Sequence, residues 1–516
     1  MYIYNLGQQY QHIAQKHKNK AAIAFIDGTQ ITFGQLEIFS NQIANFLISK
    51  GLKKQQVIAI QNNKTPFGFS LMLACLKLGI IYTNFDVSNP LERLEKIFEL
   101  AEPVMVFGDC GTTTDVTNLC QKLHIPCLEY SNTSIRNAIK KQPKQLSKDR
   151  LNSISGENPA YIMFTSGSTG VPKGVLIKHE SILNFIHWGK EAYALADDDI
   201  LTNVNPIYFD NSVFDFYCSI FNGLTMATFP LNVVSQPKML LELVEQAGCT
   251  FWFSVPSFLI YLTNIRLLTK DVLKTIRTFT FGGEGYPKEL LKKLFDLYAH
   301  RARFFNVYGP TEGTCICSAH EISEADFSDD DTLVTLGRLA PNFDCLILDE
   351  HNKESNIGEL CLIGPQLALG YYNDPERTAQ SFVLNPLNKL YGQKMYRTGD
   401  LVEKRDGRLY FKGRADNQIK HMGYRIELEE IEAGLIKLPY IRQCAVVHGK
   451  TDAGFSRLIA YIATDVRKEQ KELREGLRQY LPDYMIPNTF EFMDDLPKNP
   501  NGKVDRVRLK FASGLS

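Results

Sequence analysis

From Thr32 to Gly51 the apolar residues fall at Leu36, Phe39, Ile43, Leu47 and Ile48, a spacing of three and four that gathers one face of an α-helix. Thr32 can cap this helix, with Gln35 three places on as its capping-box partner, and Gly51 ends it. Val57 to Ile60 is a short unbroken apolar run of the kind that forms a buried strand. A helical stretch follows from Phe67 to Leu78, and Val104 to Phe107 predicts another strand. The alternation of strand and helix continues to about residue 370 and predicts α/β layers.

Near residue 413 the texture changes. Gly413-Arg-Ala-Asp-Asn417 is a small polar interruption between Leu409-Tyr-Phe411 and a new unit. That unit predicts a helix starting near Glu427, strands at Cys444 to Val447 and Leu458 to Ile462, and a charged helix from about Glu469 to Tyr480. The division expected is a large N-terminal multi-sheet α/β domain over 1–412, a hinge over 413–417, and a small mobile α+β domain over 418–516. Neither internal repeats nor low-complexity tracts interrupt the chain.

A length of 516 residues exceeds the size at which single cores stop growing, which agrees with more than one domain. The composition, 44% hydrophobic and 22% charged, is that of an ordinary globular protein. Lys+Arg and Asp+Glu are both 57, so bulk charge gives no support to a nucleic-acid or membrane-surface role. No secretory signal is visible in Met1 to His12, and the apolar run Ser70 to Tyr82 contains Lys77 and is too short to span a bilayer. The 11 cysteines include no CxxC pair, and an odd number of thiols without an export signal reads as a cytoplasmic location.

The most informative stretch is Tyr161-Ile-Met-Phe-Thr-Ser-Gly-Ser-Thr-Gly-Val-Pro-Lys-Gly-Val175. An apolar strand runs into a loop with three glycines, hydroxyl residues and Lys173. Glycine lets backbone N–H groups turn toward a phosphate, hydroxyls donate to its oxygens, and lysine adds positive charge. No Gly-Lys-Ser/Thr opens a helix here, so this is not the Walker pattern. A flexible Ser/Gly turn has the same composition. What separates the two readings is that the whole string resembles the phosphate loop of the adenylate-forming enzymes, a superfamily of acyl and aminoacyl activators.

Further strings fall in the order that this resemblance requires. Asn306-Val-Tyr-Gly-Pro-Thr-Glu312 is similar to the superfamily's adenine and magnesium segment. The resemblance implies Asn306 and Tyr308 on the purine, Thr311 on a phosphate, and Glu312 as a hard carboxylate for Mg2+. Tyr396-Arg-Thr-Gly-Asp400 resembles the ribose segment, with Asp400 accepting the sugar hydroxyls and Arg414 also reaching the ribose. Taken singly, Glu312 would belong to a helix cap, Asp400 to a turn and Arg414 to the solvated surface. The same resemblance places Thr165, Ser166, Gly167, Ser168, Thr169 and Gly170 around the phosphates of ATP, and Gly283, Glu284, Gly309 and Phe411 around the rest of the nucleotide. Asn499-Pro-Asn-Gly-Lys503 presents a lysine on a Pro/Gly turn, and the equivalent lysine lies between the substrate carboxylate and the α-phosphate. Two anions brought together need such a cation.

The resemblance implies two steps: formation of aminoacyl-AMP from an amino acid and Mg-ATP, then displacement of AMP by a phosphopantetheine thiol. Lys503 cannot serve both in one place, so the small domain is expected to rotate about Asp416. Gln418-Ile-Lys-His-Met-Gly-Tyr-Arg-Ile-Glu427 would then wall the thiol tunnel, with Gly423 allowing close approach. No carrier domain is visible in the chain, which implies a separate phosphopantetheinylated carrier protein as partner.

Phe209-Asp-Asn-Ser-Val-Phe-Asp215 bears on the substrate. In the amino-acid-activating branch an aspartate after the aromatic binds the substrate ammonium, and Asp210 holds that place. A helix N-cap before Val213 is the plainer reading of Asp210 alone. Carried across, the family's pocket positions are Asn211, Phe214, Ser257, Thr280, Gly282, Val307, Cys315 and Ile316. This lining offers no charge to meet a charged side chain, so a neutral, small-to-medium amino acid is expected. Ser212-Val-Phe-Asp-Phe-Tyr217 resembles the D-alanine–carrier protein ligases, but those carry a cysteine where Gly282 stands, which favours the nonribosomal-peptide type with an L-amino acid. Rival readings are an acyl- or aryl-CoA ligase of the same fold, and a catalytically silent nucleotide-binding relative, against which intact Lys173, Glu312, Asp400 and Lys503 argue.

Overall fold

The computed structural model of the chain describes residues 3–108, 113–167, 170–329, 331–451, 453–464, 466–498 and 504–515. Thr32 caps the helix Phe33–Ser49 through the expected reciprocal pair, its hydroxyl accepting from Gln35 N–H at 3.2 Å while its own N–H donates to Gln35 Oε1 at 2.8 Å. The helix Pro66–Leu78 is apolar on nearly all sides because it is enclosed on all sides. Lys77 is tolerated within it because its ammonium meets Glu37 at 2.6 Å, Ser40 and Asn41.

Two large sheets carry the N-terminal region. One has nine strands, whose central members Ile200–Asn203, Thr225–Thr228, Phe251–Ser254, Thr278–Gly282 and Arg303–Tyr308 run parallel. Antiparallel strands close its edges, Gln30–Thr32 on Ala21–Phe25 at one side and, beyond Arg303–Tyr308, Ser318–Glu321 and then Arg338–Leu339 at the other. The other has seven strands, with Val57–Gln61 between Ile81–Asn84 and Met105–Gly108, all parallel, and with Pro159–Thr165 paired antiparallel to Lys173–Lys178. A third sheet of five strands, running from Asp344–Leu348 to Arg408–Arg414, follows. The segments after Thr165, Asn203, Gly282 and Tyr308 all leave the carboxyl ends of strands, where open parallel sheets place their ligands.

The C-terminal region has a hairpin of Gln418–His421 and Tyr424–Glu427, a three-stranded sheet, and the helices Leu428–Ile436, Gln470–Leu477 and Arg506–Ser513. Ile431, Leu435, Val446, Ile462, Leu473 and Phe490 form a core of their own there. This small region docks on the large one through polar and aromatic contacts, of which the Arg93–Glu430 pair is buried. Arg93 pairs with Glu430, Glu92 pairs with Lys437, and Lys450 Nζ donates to Gly285 O at 2.9 Å. Tyr424 stacks on Tyr484 at 3.7 Å, and Phe209 from the large region meets Tyr424 edge-on at 4.6 Å. The α/β layering, with a large sheet-rich region and a smaller C-terminal one, is the architecture that the hydrophobic pattern predicts. Among the described residues no helix is long and apolar enough to cross a membrane.

Candidate active site

The strand Pro159–Thr165 delivers Thr165, Ser166 and Gly167, and its antiparallel neighbour brings Lys173 back opposite Thr165. Gly167 has to be glycine, since a Cβ there would lie 2.1 Å from Val171 O. Ser168 and Thr169 lie outside the described residues, and Gly170 completes the turn at φ +75°.

Glu312 sits in the 3₁₀ turn Thr311–Gly313, fully buried. Its Oε1 accepts from Tyr371 Oη at 2.7 Å and lies 3.8 Å from Lys173 Nζ, while Oε2 accepts from Arg425 at 2.6 Å. Burial alone would raise its pKa, but Arg425, Lys173 and the Tyr371 hydroxyl outweigh it and hold the carboxyl at about 2. Lys173 is pushed down to about 8 by burial and by Arg425, against the pull of Glu312 and of Glu427 at 3.9 Å. Glu312 is thus a permanently ionised hard oxygen donor that fits Mg2+. Among the described residues there is no group of three or more His, Cys, Asp and Glu that could hold a metal ion.

A cavity of about 480 Å³ is lined by Gly283, Glu284, Asn306, Tyr308, Asp400, Phe411 and Arg414. Asp400 accepts from Tyr308 Oη at 2.5 Å and from Arg414 Nη1 at 2.5 Å. The same guanidinium grips Asp416, with Nε at 2.6 Å and Nη2 at 2.7 Å, so Arg414 joins Asp400 to the residue expected at the hinge. Asn306 Nδ2 donates to Thr335 O at 2.8 Å.

A smaller cavity, about 60 Å³, adjoins it and is lined by Asp210, Asn211, Gly282, Val307, Gly309, Thr311, Cys315 and Ile316. Burial raises the pKa of Asp210 above the usual carboxylate range, against a 2.5 Å hydrogen bond from Thr311 Oγ1. Phe214, Thr280 and Ser257 are not in this lining. Phe214 opens a π-helical turn, Phe214–Cys218, and its ring is buried among Phe185, Tyr193, Phe251 and Phe253. Phe253, whose ring lies 5.1 Å from that of Phe214, is in the lining. Thr280 is buried in mid-strand, and Ser257 N–H donates to Glu284 Oε2 at 3.2 Å.

The hairpin of the small region reaches both cavities, and Gln418 and Lys420 line each of them. Gly423 N–H donates to Glu284 Oε1 at 2.5 Å, and Ser166 Oγ donates to Arg425 O. Gly423 has φ +84°, and a Cβ there would meet Val255 Cγ1 at 2.5 Å. Lys503 lies outside the described residues. Lys498 and Val504, on either side of its segment, bridge each other and line a separate cleft with Glu432 and Arg442.

Tyr371 and Arg425 complete the shell of Glu312, and nothing in the local sequence distinguishes Tyr371 from Tyr372 beside it. Arg425 carried a signal, lying in the string expected to wall the tunnel, but its partner lies 113 residues away.

Residues 10–372 match the family of AMP-binding enzymes, and residues 430–503 match their C-terminal domain. The chain belongs to the AMP-binding enzymes. This AMP-binding enzyme is 35% identical over 489 residues to a dimodular nonribosomal peptide synthase of Bacillus subtilis, a match covering 94% of the chain and 20% of the synthase. It is 30% identical over 513 residues to a D-alanine–D-alanyl carrier protein ligase of Bacillus cereus, covering 98% of each. The chain therefore spans a small part of the synthase and nearly all of the ligase. In fold it is similar to the Vibrio cholerae adenylation domain AlmE, solved with glycyl-adenosine-5'-phosphate, at a TM-score of 0.84 and 21% identity over 99% of each chain.

Proposed function

We propose that this AMP-binding enzyme joins a neutral, small-to-medium amino acid to ATP, releasing pyrophosphate, and then transfers the aminoacyl group to the phosphopantetheine thiol of a separate carrier protein. The observation that carries this reading is Asp210 in the wall of the small cavity, next to the Thr311–Glu312 turn. Burial keeps the pKa of this carboxylate raised despite Lys420 and Arg425 nearby, so a directly bonded cation is favoured, and the ammonium of an amino acid supplies one. The names of the nonribosomal peptide synthase and of the D-alanyl carrier protein ligase support the same chemistry.

In the first step a substrate carboxylate oxygen bonds to the α-phosphorus and the bond to pyrophosphate breaks. Asp210 orients the amine, Asp400 accepts the ribose hydroxyls, and Lys503 offsets the repulsion between the two anions. Glu312 would hold Mg2+, which when bound neutralises phosphate charge. In the second step the sulfur bonds to the acyl carbon and AMP leaves. The hairpin carrying Lys420, Gly423 and Arg425 inside the site, with the flanks of the Lys503 segment elsewhere, supports assigning this pose to the second step. Asp416 would be the pivot, gripped here by Arg414.

The full-length match to the D-alanyl carrier protein ligase favours D-alanine as a second reading. Against it, a Cβ at Gly282 would come within 2.5 Å of both Val307 O and Val307 Cγ2, so the cysteine of those ligases does not fit this backbone. A pyrophosphate-exchange panel of L- and D-amino acids and amine-free carboxylic acids tests the proposal. Exchange driven by one neutral amino acid is expected, and exchange driven only by acids lacking an amine would sink it.

A further inference from the structure

The tip of the small region's hairpin is held from both sides. Met422 and Gly423, at φ +53° and +84°, make its two-residue turn, and His421 and Tyr424 pair across the mouth. Tyr424 is fixed by its stack on Tyr484. His421, 3% exposed, is fixed by Ser456, whose Oγ lies 2.7 Å from His421 Nδ1 and 2.6 Å from His448 Nε2. The two rings stand perpendicular, with centroids 5.9 Å apart. A serine hydroxyl has one proton and two lone pairs, so it donates to one ring and accepts an N–H from the other. Burial lowers the pKa of both rings, to about 4 for His421 and about 3 for His448, the latter helped by His421, Lys450 and Lys510. Both rings are therefore neutral near pH 7, the state that such a one-way chain of hydrogen bonds needs.

These contacts close a ring through the two regions. Gly423 N–H donates to Glu284 Oε1, and Lys450 Nζ donates to the carbonyl of the next residue, Gly285, at 2.9 Å. Lys450 lies opposite Ser456 in the antiparallel strands Gln443–Lys450 and Ser456–Ala463, and the ring returns from Ser456 through His421 and the turn to Gly423. We infer that Ser456, bridging His421 and His448, is a positioning residue for thiol transfer, setting the hairpin tip and with it the place of Gly423 and Lys420 in the wall of the small cavity. The inference rests on the assignment of this pose to the second step. His421 and Ser456 line neither cavity, so they act through the tip alone. A non-glycine residue in the left-handed region, as Met422 is, persists only where its surroundings hold it. Loss of the hydroxyl leaves two ring nitrogens without a partner and removes one of the two supports of that turn.

Two rates measured on the whole chain test this: amino-acid-dependent pyrophosphate exchange, and single-turnover transfer of the acyl group from enzyme-bound aminoacyl-AMP to pantetheine. Ser456→Ala is expected to slow transfer by about tenfold, the effect of leaving a buried polar group unpaired, with the half-saturating pantetheine concentration and the exchange rate unchanged. Ser456→Thr keeps the hydroxyl and is expected to restore transfer. Nitrogen NMR of histidine-labelled protein is expected to show that, of His421 Nδ1 and His448 Nε2, one carries a proton and the other does not. Unchanged transfer in Ser456→Ala, exchange lost to the same degree as transfer, or Ser456→Thr as slow as Ser456→Ala overturns the inference, as does finding both bridging nitrogens in the same protonation state. A wild-type chain that exchanges pyrophosphate but transfers nothing to pantetheine would instead overturn the reading of the second step.

Discussion

Thr311 donates its hydroxyl to Asp210 at 2.5 Å, which ties the turn presenting Glu312 to the wall of the small cavity. The small cavity and the buried cluster of Glu312, Lys173 and Arg425 are thereby held in fixed relation.

Asp210→Asn is expected to lower amino-acid-dependent pyrophosphate exchange by at least about a hundredfold, since removing one member of a buried ion pair costs about 3–5 kcal/mol. A pH effect follows. Burial raises the Asp210 pKa, and only the carboxylate pairs with an ammonium, so affinity is present above that pKa and is lost as pH falls through it. Thr311→Val removes the hydrogen bond that lowers the pKa, so the acid limb of KM is expected to move to higher pH.

Lys503→Ala is expected to reduce adenylate formation by about a hundredfold or more, the loss associated with one preorganised charge at the transition state. Transfer from aminoacyl-AMP supplied ready-made is expected to continue. Exchange assays and quenched single-turnover transfer separate the two, and equal loss in both would remove the lysine's assigned place in the first step.

Gly423→Val is expected to show the reverse split. Its φ of +84° and the 2.5 Å approach to Val255 leave no room for a branched side chain in this pose. Thiol transfer should fall by more than about tenfold while exchange stays near the parent level, because left-handed backbone costs about 1–2 kcal/mol before any clash. Loss of exchange alone would refute the assignment of this pose.

His179 governs part of the acid stability. Its ring is buried, Nδ1 accepts from Leu6 N–H at 3.1 Å, and burial lowers its pKa to about 3. The unfolded chain takes up a proton near the ordinary value of 6.5 while the folded chain does not until about 3, so stability declines as pH falls through that window. The full slope is about 1.4 kcal/mol per pH unit for one proton. His179→Gln is expected to shrink the difference between urea-unfolding midpoints at pH 7 and pH 5, and an unchanged difference would contradict it.

Much of the fold was legible because its determinants are local. Thr32 and Gln35 cap their helix with no help from elsewhere, and the enclosed helix Pro66–Leu78 declares itself by lacking a polar face. Lys173 and Glu312, read from separate strings, stand 3.8 Å apart, and Asp210 and Asp400 line the adjoining cavities, so their coming together was legible from those strings. Phe214 falls in the π-helical turn Phe214–Cys218 and packs on Phe253, which is in the lining, a local geometry that residue counting cannot see. Arg93 and Glu430 were invisible for another reason: they lie 337 residues apart, and each alone reads as a surface charge on an amphipathic helix.

Arg414 holds Asp400 with one nitrogen and Asp416 with two others. One guanidinium therefore bonds both the strand Lys394–Arg405 and the segment leading into the small region, so whatever draws it off Asp400 acts on Asp416 as well.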